Sequence, residues 1–393
     1  MCQTCPPVPY RPVQPPGHPK LAVALDATPL LGTRTGVGQF CAMSLQYLAE
    51  RDDLDVGAFA VSWRRRNGLG GQLPAGVRTL GRPMPARPLH RSWATWAFPP
   101  VEAFIGTTDV VHGTNFVVPP AWRAAMVVTV HDLTPLHFPQ MCQPATLVFP
   151  RLVRRAVHRG AWVHTPSEFV AEEVVRLLGA PPERVRAVHL GVTTPPAAAG
   201  PDGRWRRLLP EWATSYVLAL GTVEPRKGLP SLVRAFGKVA GAHPSTALVI
   251  AGPDGWGAGE LAGAIEACPA RARVVRLGWV SDSDRDALLL GATLLAYPSV
   301  YEGFGLPPLE AMAAGTPVVA TSCGALEEVL GDSAVLVRPG DVGALAEAID
   351  GLLAGERDRT ALAERGKLRA QGYTWQACAQ GLADLYRDAA GTR

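Results

Sequence analysis

The sequence has no apolar run long enough to cross a membrane. A spanning helix needs roughly 18 or more consecutive apolar residues, and none of the 393 residues belongs to such a run. Charge is sparse as well. Asp, Glu, Lys and Arg make up 18% of the chain against 47% hydrophobic residues, which excludes a disordered, solvating polymer and allows a sizeable core. Proline and glycine are plentiful, 37 and 41, but have no triplet period, which excludes a collagen-like rod. No short-period repeat is visible, so a solenoid is excluded too. Cysteines number only seven. Cys2 and Cys5 form a lone CxxC with no second cysteine or histidine pair at zinc spacing, so neither a zinc module nor a disulfide framework is expected. The other cysteines sit in apolar surroundings and read as reduced core residues, which points to the cytoplasm. The first 19 residues contain seven prolines and no apolar stretch; they are expected to be a disordered tail rather than a signal peptide.

What is present begins with a charge asymmetry. Residues 1–195 hold 19 Lys+Arg and 12 Asp+Glu, a balance of +7; the remainder holds 19 and 22, a balance of −3. The basic half includes "WRRRN", "RPLHRSW" and "RLVRRAVHR". In "RPMPARPLHRSWATWAF", Arg82, Arg87, His90 and Arg91 precede Trp93, Trp96 and Phe98. Two readings stand: a solvated helix with its aromatics in the core, or a peripheral contact with anionic lipid at the inner face of the membrane. No nucleic-acid partner is expected.

At about 100–200 residues per domain, two domains are expected. Short apolar runs at "LAVALDA", "DVVH", "AMVVTVHD" and "AWVHTPS" alternate with helical patterns. One of these is "SEFVAEEVVRLLG", with Ser167 as N-cap and Gly179 as the stop. "VTTPPAAAGPDGRWRRLLPEW" then breaks all periodicity. The alternation restarts with "YVLALG", "TALVIAG", "RVVRLG", "TLLAYPS", "TPVVATS" and "AVLVRPG". The expected class is α/β, with two Rossmann-like, doubly wound parallel sheets facing a cleft. The expected boundaries are a tail at 1–19, a first domain at 20–195, a linker at 196–213, a second domain at 214–371 and a closing segment at 372–393.

Two loops in the second half carry chemistry. "YEGFGLPPLE" leaves an apolar strand and enters a short helix. Gly303 and Gly305 permit close backbone approach, and a helix amino end with four unpaired N–H groups attracts a phosphate. Glu310 lies about one turn into the helix, where a carboxylate holds ribose hydroxyls or simply complements the dipole. Glu302 has no helix to stabilise and suits sugar hydroxyls. About 75 residues upstream, "GTVEPRKG" delivers Arg226 and Lys227 to the same sheet edge, a fork and a point charge for a diphosphate. Two pairs of aspartates, Asp53/Asp55 and Asp282/Asp284, have metal-like spacing, but neither has the setting of a Mg²⁺ diphosphate site. No metal is expected. "TGVGQF" is not G-x-G-x-x-G, which argues against a dinucleotide oxidoreductase.

Together, "EGFGLPPLE", "GTVEPRKG" and "LGWVSDSDRDALLLGATLLAYPS" resemble the family-four glycosyltransferases of the GT-B fold. "TGVGQF", "VVHGTNFVVP", "VVTVHDLTPLHFP" and "HTPSEFVAEEVVRLLGAPPERVRAVHLGV" resemble the family's acceptor-side domain. The resemblance runs from Lys20 to about Tyr386. It implies sugar transfer with retention from a nucleotide diphosphate sugar, which is a substrate and not a cofactor, to a glycan, lipid-linked or small-molecule acceptor. Arg226 and Lys227 would hold the diphosphate and Glu310 the ribose. Glu302, with the backbone of Gly303, Phe304, Gly305 and Leu306, would hold the donor sugar and distal phosphate. Val280 would meet the base, and Gly36 and Val37 the phosphates across the cleft. His131 would reach the donor sugar; by residue type alone it also suits a core histidine. Residues after Gly372 would cross back to the first domain. Many relatives have Gly-Arg where this chain has Gly221-Thr222, and the "GT-EPRK" variant resembles bacterial mannosyl- and rhamnosyltransferases, which favours GDP-mannose. The alternative is a non-catalytic nucleotide-sugar or glycan binder on the same scaffold.

Overall fold

The computed structural model describes residues 20–32, 35–63, 68–196 and 203–392. The proline-rich segment with Cys2 and Cys5, the arginines of "WRRRN" and residues 197–202 of the linker lie outside the described residues. Two parallel sheets organise the rest. The first contains β1 (Leu21–Asp26), β2 (Leu54–Phe59), β3 (Arg78–Thr79), β4 (Val110–Gly113), β5 (Ala125–Thr129), β6 (Trp162–Thr165) and β7 (Val185–Ala187), in the order β3-β2-β1-β4-β5-β6-β7. The second contains β8 (Ser215–Leu220), β9 (Thr246–Ala251), β10 (Val274–Gly278), β11 (Leu294–Tyr297), β12 (Val318–Thr321) and β13 (Val335–Val337), in the order β10-β9-β8-β11-β12-β13. Helices cover both faces, so the central strands are apolar without alternation; β5 and β9 are buried at every position. Asp55 lies inside β2 and pairs with Arg78.

The helix Glu168–Leu178 shows how local sequence sets an element. The Ser167 hydroxyl accepts from the Val170 N–H at 3.2 Å, and Gly179, at φ 70°, ends the helix in the left-handed region. The linker is partly docked. Arg204–Leu208 forms a 3-10 turn whose Trp205 ring packs on Tyr216 at 5.2 Å.

In each sheet the strand order reverses beside its first strand, between β1 and β4 and between β8 and β11. Open α/β sheets bind ligands beyond the strand carboxyl ends at such a reversal. β8 and β11 are direct neighbours, with Val217 opposite Leu294 and Leu218 opposite Leu295. That adjacency brings together two loops far apart in sequence.

The chain closes on itself. Helix Glu356–Gln371 packs on helix Leu306–Ala314, and helix Trp375–Gly391 then packs on helix Gly36–Ala49 of the first sheet. A buried polar chain pins it. The Tyr386 hydroxyl meets His112 Nδ1 at 2.7 Å, His112 Nε2 meets the Thr129 hydroxyl at 2.7 Å, and that hydroxyl meets His164 Nδ1 at 2.9 Å. Burial pushes His112 well below the usual histidine range and His164 down to about 3, so both stay neutral in the core. Among the described residues, no helix is long and apolar enough to cross a membrane.

Candidate active site

A cleft of about 1060 Å³ lies between the carboxyl edges of the two sheets. Its charged wall is built by the loops after β8 and β11. Glu302 follows β11 by five residues and is buried. Its Oε1 accepts from Lys227 Nζ at 2.7 Å, the Ser299 hydroxyl at 2.7 Å and the Tyr297 hydroxyl at 2.9 Å. Its Oε2 faces the Arg226 guanidinium at 2.8 Å. Arg226 also donates to the Tyr301 carbonyl at 2.8 Å, and Lys227 to the Tyr297 hydroxyl at 2.6 Å.

The electrostatics follow from burial and pairing. Burial alone would raise the Glu302 carboxyl; Arg226 and Lys227 outweigh it and hold the group at about 2. Burial lowers Lys227, and Glu302 only partly offsets that because Arg226 stands beside it. Arg226 is half-buried; desolvation would lower it, yet Glu302 drives it above the usual guanidinium range. Glu224 lies 3.6 Å from Arg226, and burial raises its carboxyl. The two cations thus share Glu302, with Glu224 beside Arg226, in a partly dry wall where charge interactions are stronger than in water.

Glu310 lies in the helix Leu306–Ala314, is buried, and pairs with Arg285 of helix Asp282–Gly291. The helix amino end offers less than the four donors expected of it. Pro307 and Pro308 carry no N–H, which leaves Leu306 as the donor of its first three positions. Phe304, Gly305, Leu306 and Val280 line the cleft, and Gly305, at φ 95°, caps the helix. Gly303 makes a close approach. A Cβ there would lie 1.8 Å from the His131 carbonyl oxygen, so this position joins the two lobes.

The facing wall is neutral. Helix Gly36–Ala49 starts at Gly36 with no side-chain cap, and Gly36 and Val37 line the cleft. His131 lines it too. Its Nε2 lies 2.9 Å from the Thr114 carbonyl and so carries the proton, leaving Nδ1 as an acceptor. Burial lowers its pKa, so the ring is neutral. Asp26 accepts from the Thr28 N–H at 2.9 Å and caps the turn after β1; burial pushes its carboxyl up to about 6.

The lobes touch beside this site. The Tyr301 hydroxyl accepts from the Leu133 N–H at 3.1 Å and donates to the buried carboxylate of Glu173. The Ser167 hydroxyl donates to the Gly303 carbonyl at 2.8 Å. Glu328 accepts from the N–H groups of Glu168 and Phe169, both at 2.9 Å. At the rim, the Trp256 indole donates to the Met141 carbonyl at 2.9 Å.

Comparison with known proteins decides the family. The glycosyltransferase family 4 profile matches residues 34–194, and the glycosyl transferases group 1 profile matches residues 211–369. The chain is 30% identical over 311 residues to the O-antigen chain mannosyltransferase B of Escherichia coli, covering 77% of this chain and 78% of that one. This chain belongs to the family-four glycosyltransferases. Solved structures agree on the fold. Sucrose-phosphate synthase from Thermosynechococcus elongatus superposes with a TM-score of 0.76 at 21% identity, over 95% of this chain and 100% of that one. The Anabaena protein HepE in complex with UDP-glucose gives 0.71 at 20% identity, over 92% and 98%. The fold is GT-B.

Sequence reasoning missed several groups that shape this glycosyltransferase's cleft. Tyr297 and Ser299 sit in the apolar stretch "TLLAYPS", and polar residues ending a buried run were the available signal. Arg285 lies four residues beyond the helix cap Ser281, which places it one turn into a helix that enters the cleft. Tyr301 and Glu173 had no such signal, since their contact is made across lobes. Three of the four metal-like aspartates pair with arginines, and Asp282 lines the cleft. Asp53 pairs with Arg51 at 3.0 Å, and Asp284 pairs with Arg204 at 3.1 Å. Among the described residues, no cluster of three or more His, Cys, Asp or Glu is arranged to hold a metal ion.

Proposed function

We propose that this glycosyltransferase moves a hexosyl group, mannosyl favoured, from a nucleotide diphosphate sugar with retention and without a metal. The acceptor is a glycan, a lipid-linked sugar or a small molecule. The observation that carries this reading is the pair Arg226 and Lys227, held 2.8 and 2.7 Å from the buried Glu302 in the cleft wall. Adjacent Arg226 and Lys227 offer the cleft a guanidinium fork and a point charge, and a diphosphate is the anion that matches that pair. HepE was crystallised with UDP-glucose, and the E. coli relative is a mannosyltransferase; both names support the donor class. Asp282 lines the cleft beside Val280. Guanine offers two adjacent N–H donors to such a carboxylate, whereas uracil offers one between two carbonyl oxygens. That supports GDP-mannose.

The mechanism follows from charge. Negative charge grows on the leaving diphosphate, so Arg226, Lys227 and the Leu306 N–H stabilise the transition state. Glu302 receives four donors and positions the cations and the sugar rather than attacking carbon. Glu310, steadied by Arg285, keeps one carboxylate oxygen for the ribose. The facing wall presents a neutral His131, whose free Nδ1 accepts from a sugar hydroxyl. The acceptor hydroxyl enters on the face that the diphosphate leaves, and a phosphate oxygen takes its proton. Purified protein incubated with a panel of nucleotide sugars, with and without chelator, tests this. An α-linked product from an α-linked donor, formed equally in chelator, is expected. An inverted product, or turnover lost in chelator, sinks the corresponding part. A mass increment of one sugar on Glu302 overturns the same-face step.

A further inference from the structure

Two stretches of the N-terminal lobe contain no acidic residue, 79–101 and 133–167. Each forms one outer helix, Ala86–Thr95 and Phe149–His158. They are neighbours, since the Arg155 guanidinium donates to the Thr95 carbonyl. Their inner faces are apolar: Leu89 and Trp93 on one, Val153, Ala156 and Val157 on the other. Arg87, Arg91, Arg151 and Arg154 are exposed.

Aromatics extend this cationic face. The structure divides the aromatics of "RSWATWAF". Trp93 joins the core, with its indole N–H on the Pro99 carbonyl at 2.9 Å. Trp96 is 81% and Phe98 58% exposed. Trp122 is 73% exposed, and Trp96 and Trp122 are the two most exposed large hydrophobic residues among those described. The two segments are tied together. The Val101 N–H donates to the Pro120 carbonyl at 2.8 Å, and the Glu102 carboxylate accepts from the N–H groups of Trp122 and Arg123, both at 2.9 Å. Glu102 is thus held by backbone N–H groups and stays ionised, one negative charge against the exposed Arg87, Arg91, Arg123, Arg151 and Arg154. At the other end, exposed Leu147 and Val148 precede Phe149, which stacks on Phe116 at 4.9 Å; Phe116 in turn touches the His131 ring at 5.9 Å. The face therefore runs from beside the cleft to the outer edge of the lobe.

We propose that this face docks on an anionic lipid bilayer. Exposed indoles beside arginines that outnumber the Glu102 carboxylate suit the headgroup layer: rings enter the interface and guanidinium groups meet lipid phosphates. An acidic protein partner matches the charge but leaves three separately exposed aromatic rings unexplained. The proposal goes beyond the donor chemistry and does not depend on it.

The test is co-sedimentation of the full chain with vesicles of phosphatidylcholine, alone or mixed with phosphatidylglycerol, at low and high salt. Binding that requires phosphatidylglycerol and weakens with salt is expected. Trp96→Ser/Phe98→Ser/Trp122→Ser should weaken it by on the order of tenfold or more. Arg87→Ala, Arg91→Ala and Arg151→Ala should each weaken it about fivefold. Melting temperature and nucleotide affinity should not change in any of them, which separates lost docking from lost folding. Binding that ignores lipid charge, or persists at the wild-type level in the aromatic triple variant, overturns the proposal. So does light scattering that shows a wild-type dimer split by that variant, which would make the face a contact between copies.

Discussion

The two sheet edges that face each other across the cleft are built on opposite principles. The C-terminal edge is charged and locked. Arg226, Lys227, Tyr297 and Ser299 all converge on one buried carboxylate. The N-terminal edge is neutral, with an uncapped helix start at Gly36 and an uncharged His131. The difference teaches where preorganisation matters. On the proposed function, a leaving diphosphate would gain charge during the reaction, and its wall would work best with cations fixed in a dry setting. On the same proposal the opposite wall would meet hydroxyl groups, which need acceptors and space rather than a field.

The sharpest way to break this contrast is to unlock the charged edge. Glu302→Gln removes the group on which both half-buried cations converge and leaves only Glu224, 3.6 Å from Arg226, as a carboxylate partner. Losing one partner of a buried pair costs about 3–5 kcal/mol, so a clear fall in melting temperature should accompany a severe loss of turnover. No covalent sugar adduct should appear by intact mass. A variant as stable as wild type would show that the cations are held by something else.

Acid titration probes the same lock without mutation. The Glu302 carboxyl is depressed from 4.5 to about 2 in the folded chain. Its contribution to stability is therefore present above about pH 4.5 and is lost as pH falls toward 2. The shift corresponds to roughly 3 kcal/mol. Denaturant unfolding between these limits should show this slope in wild type and a shallower one in Glu302→Gln. Equal slopes would mean that Glu302 is not the group being read.

A matched pair of substitutions sharpens the contrast between the edges. Lys227→Ala should weaken nucleoside diphosphate binding by about 1.5–3 kcal/mol, as expected for a charge-assisted hydrogen bond. His131→Ala should leave that binding nearly unchanged and lower turnover instead. Calorimetry for binding and a coupled assay for turnover separate the two. Equal losses of affinity would erase the distinction between a charged and a neutral wall.

Much of this was legible in the sequence, for physical reasons that also mark its limits. Strands buried on both faces show as apolar runs, so β4–β6, β8, β9, β11 and β12 stand out; β1, β10 and β13 are only partly buried but are apolar enough to read the same way. β3 and β7, two and three residues long at the sheet edge, are too short to carry any pattern. Motif loops were readable because a strand end, a glycine and a charge occur together. That Glu302 lies between Arg226 and Lys227 was not readable, because it depends on β8 and β11 being neighbours. Nor was the Glu173–Tyr301 contact, which is made only when the lobes meet. The proline pair at 307 and 308 was visible, but its consequence for the helix donors emerges only once Gly305 is fixed as the cap.

The smallest expected effect tests whether the two edges meet as a hinge or as a fixed block. Inside, the lobes join through Ser167–Gly303 and Tyr301–Glu173. At the rim, they join through the Trp256 indole and the Met141 carbonyl. Trp256 is 44% exposed, so its bond competes with water and contributes little, about 0.5–1.5 kcal/mol at most. Trp256→Phe keeps most of the ring area and deletes only that donor. If the lobes open and close about the inner contacts, this small change should shift the equilibrium by a few-fold toward open forms in the absence of ligand. Scattering of ligand-free variant should then give a larger radius of gyration than wild type, and saturating nucleotide diphosphate should remove the difference, because a ligand held by both edges restores closure. If profiles of wild type and variant superimpose with and without nucleotide, the inner contacts alone hold the lobes together. The cleft would then be a rigid slot, with the neutral edge placed once, during folding, against the charged one.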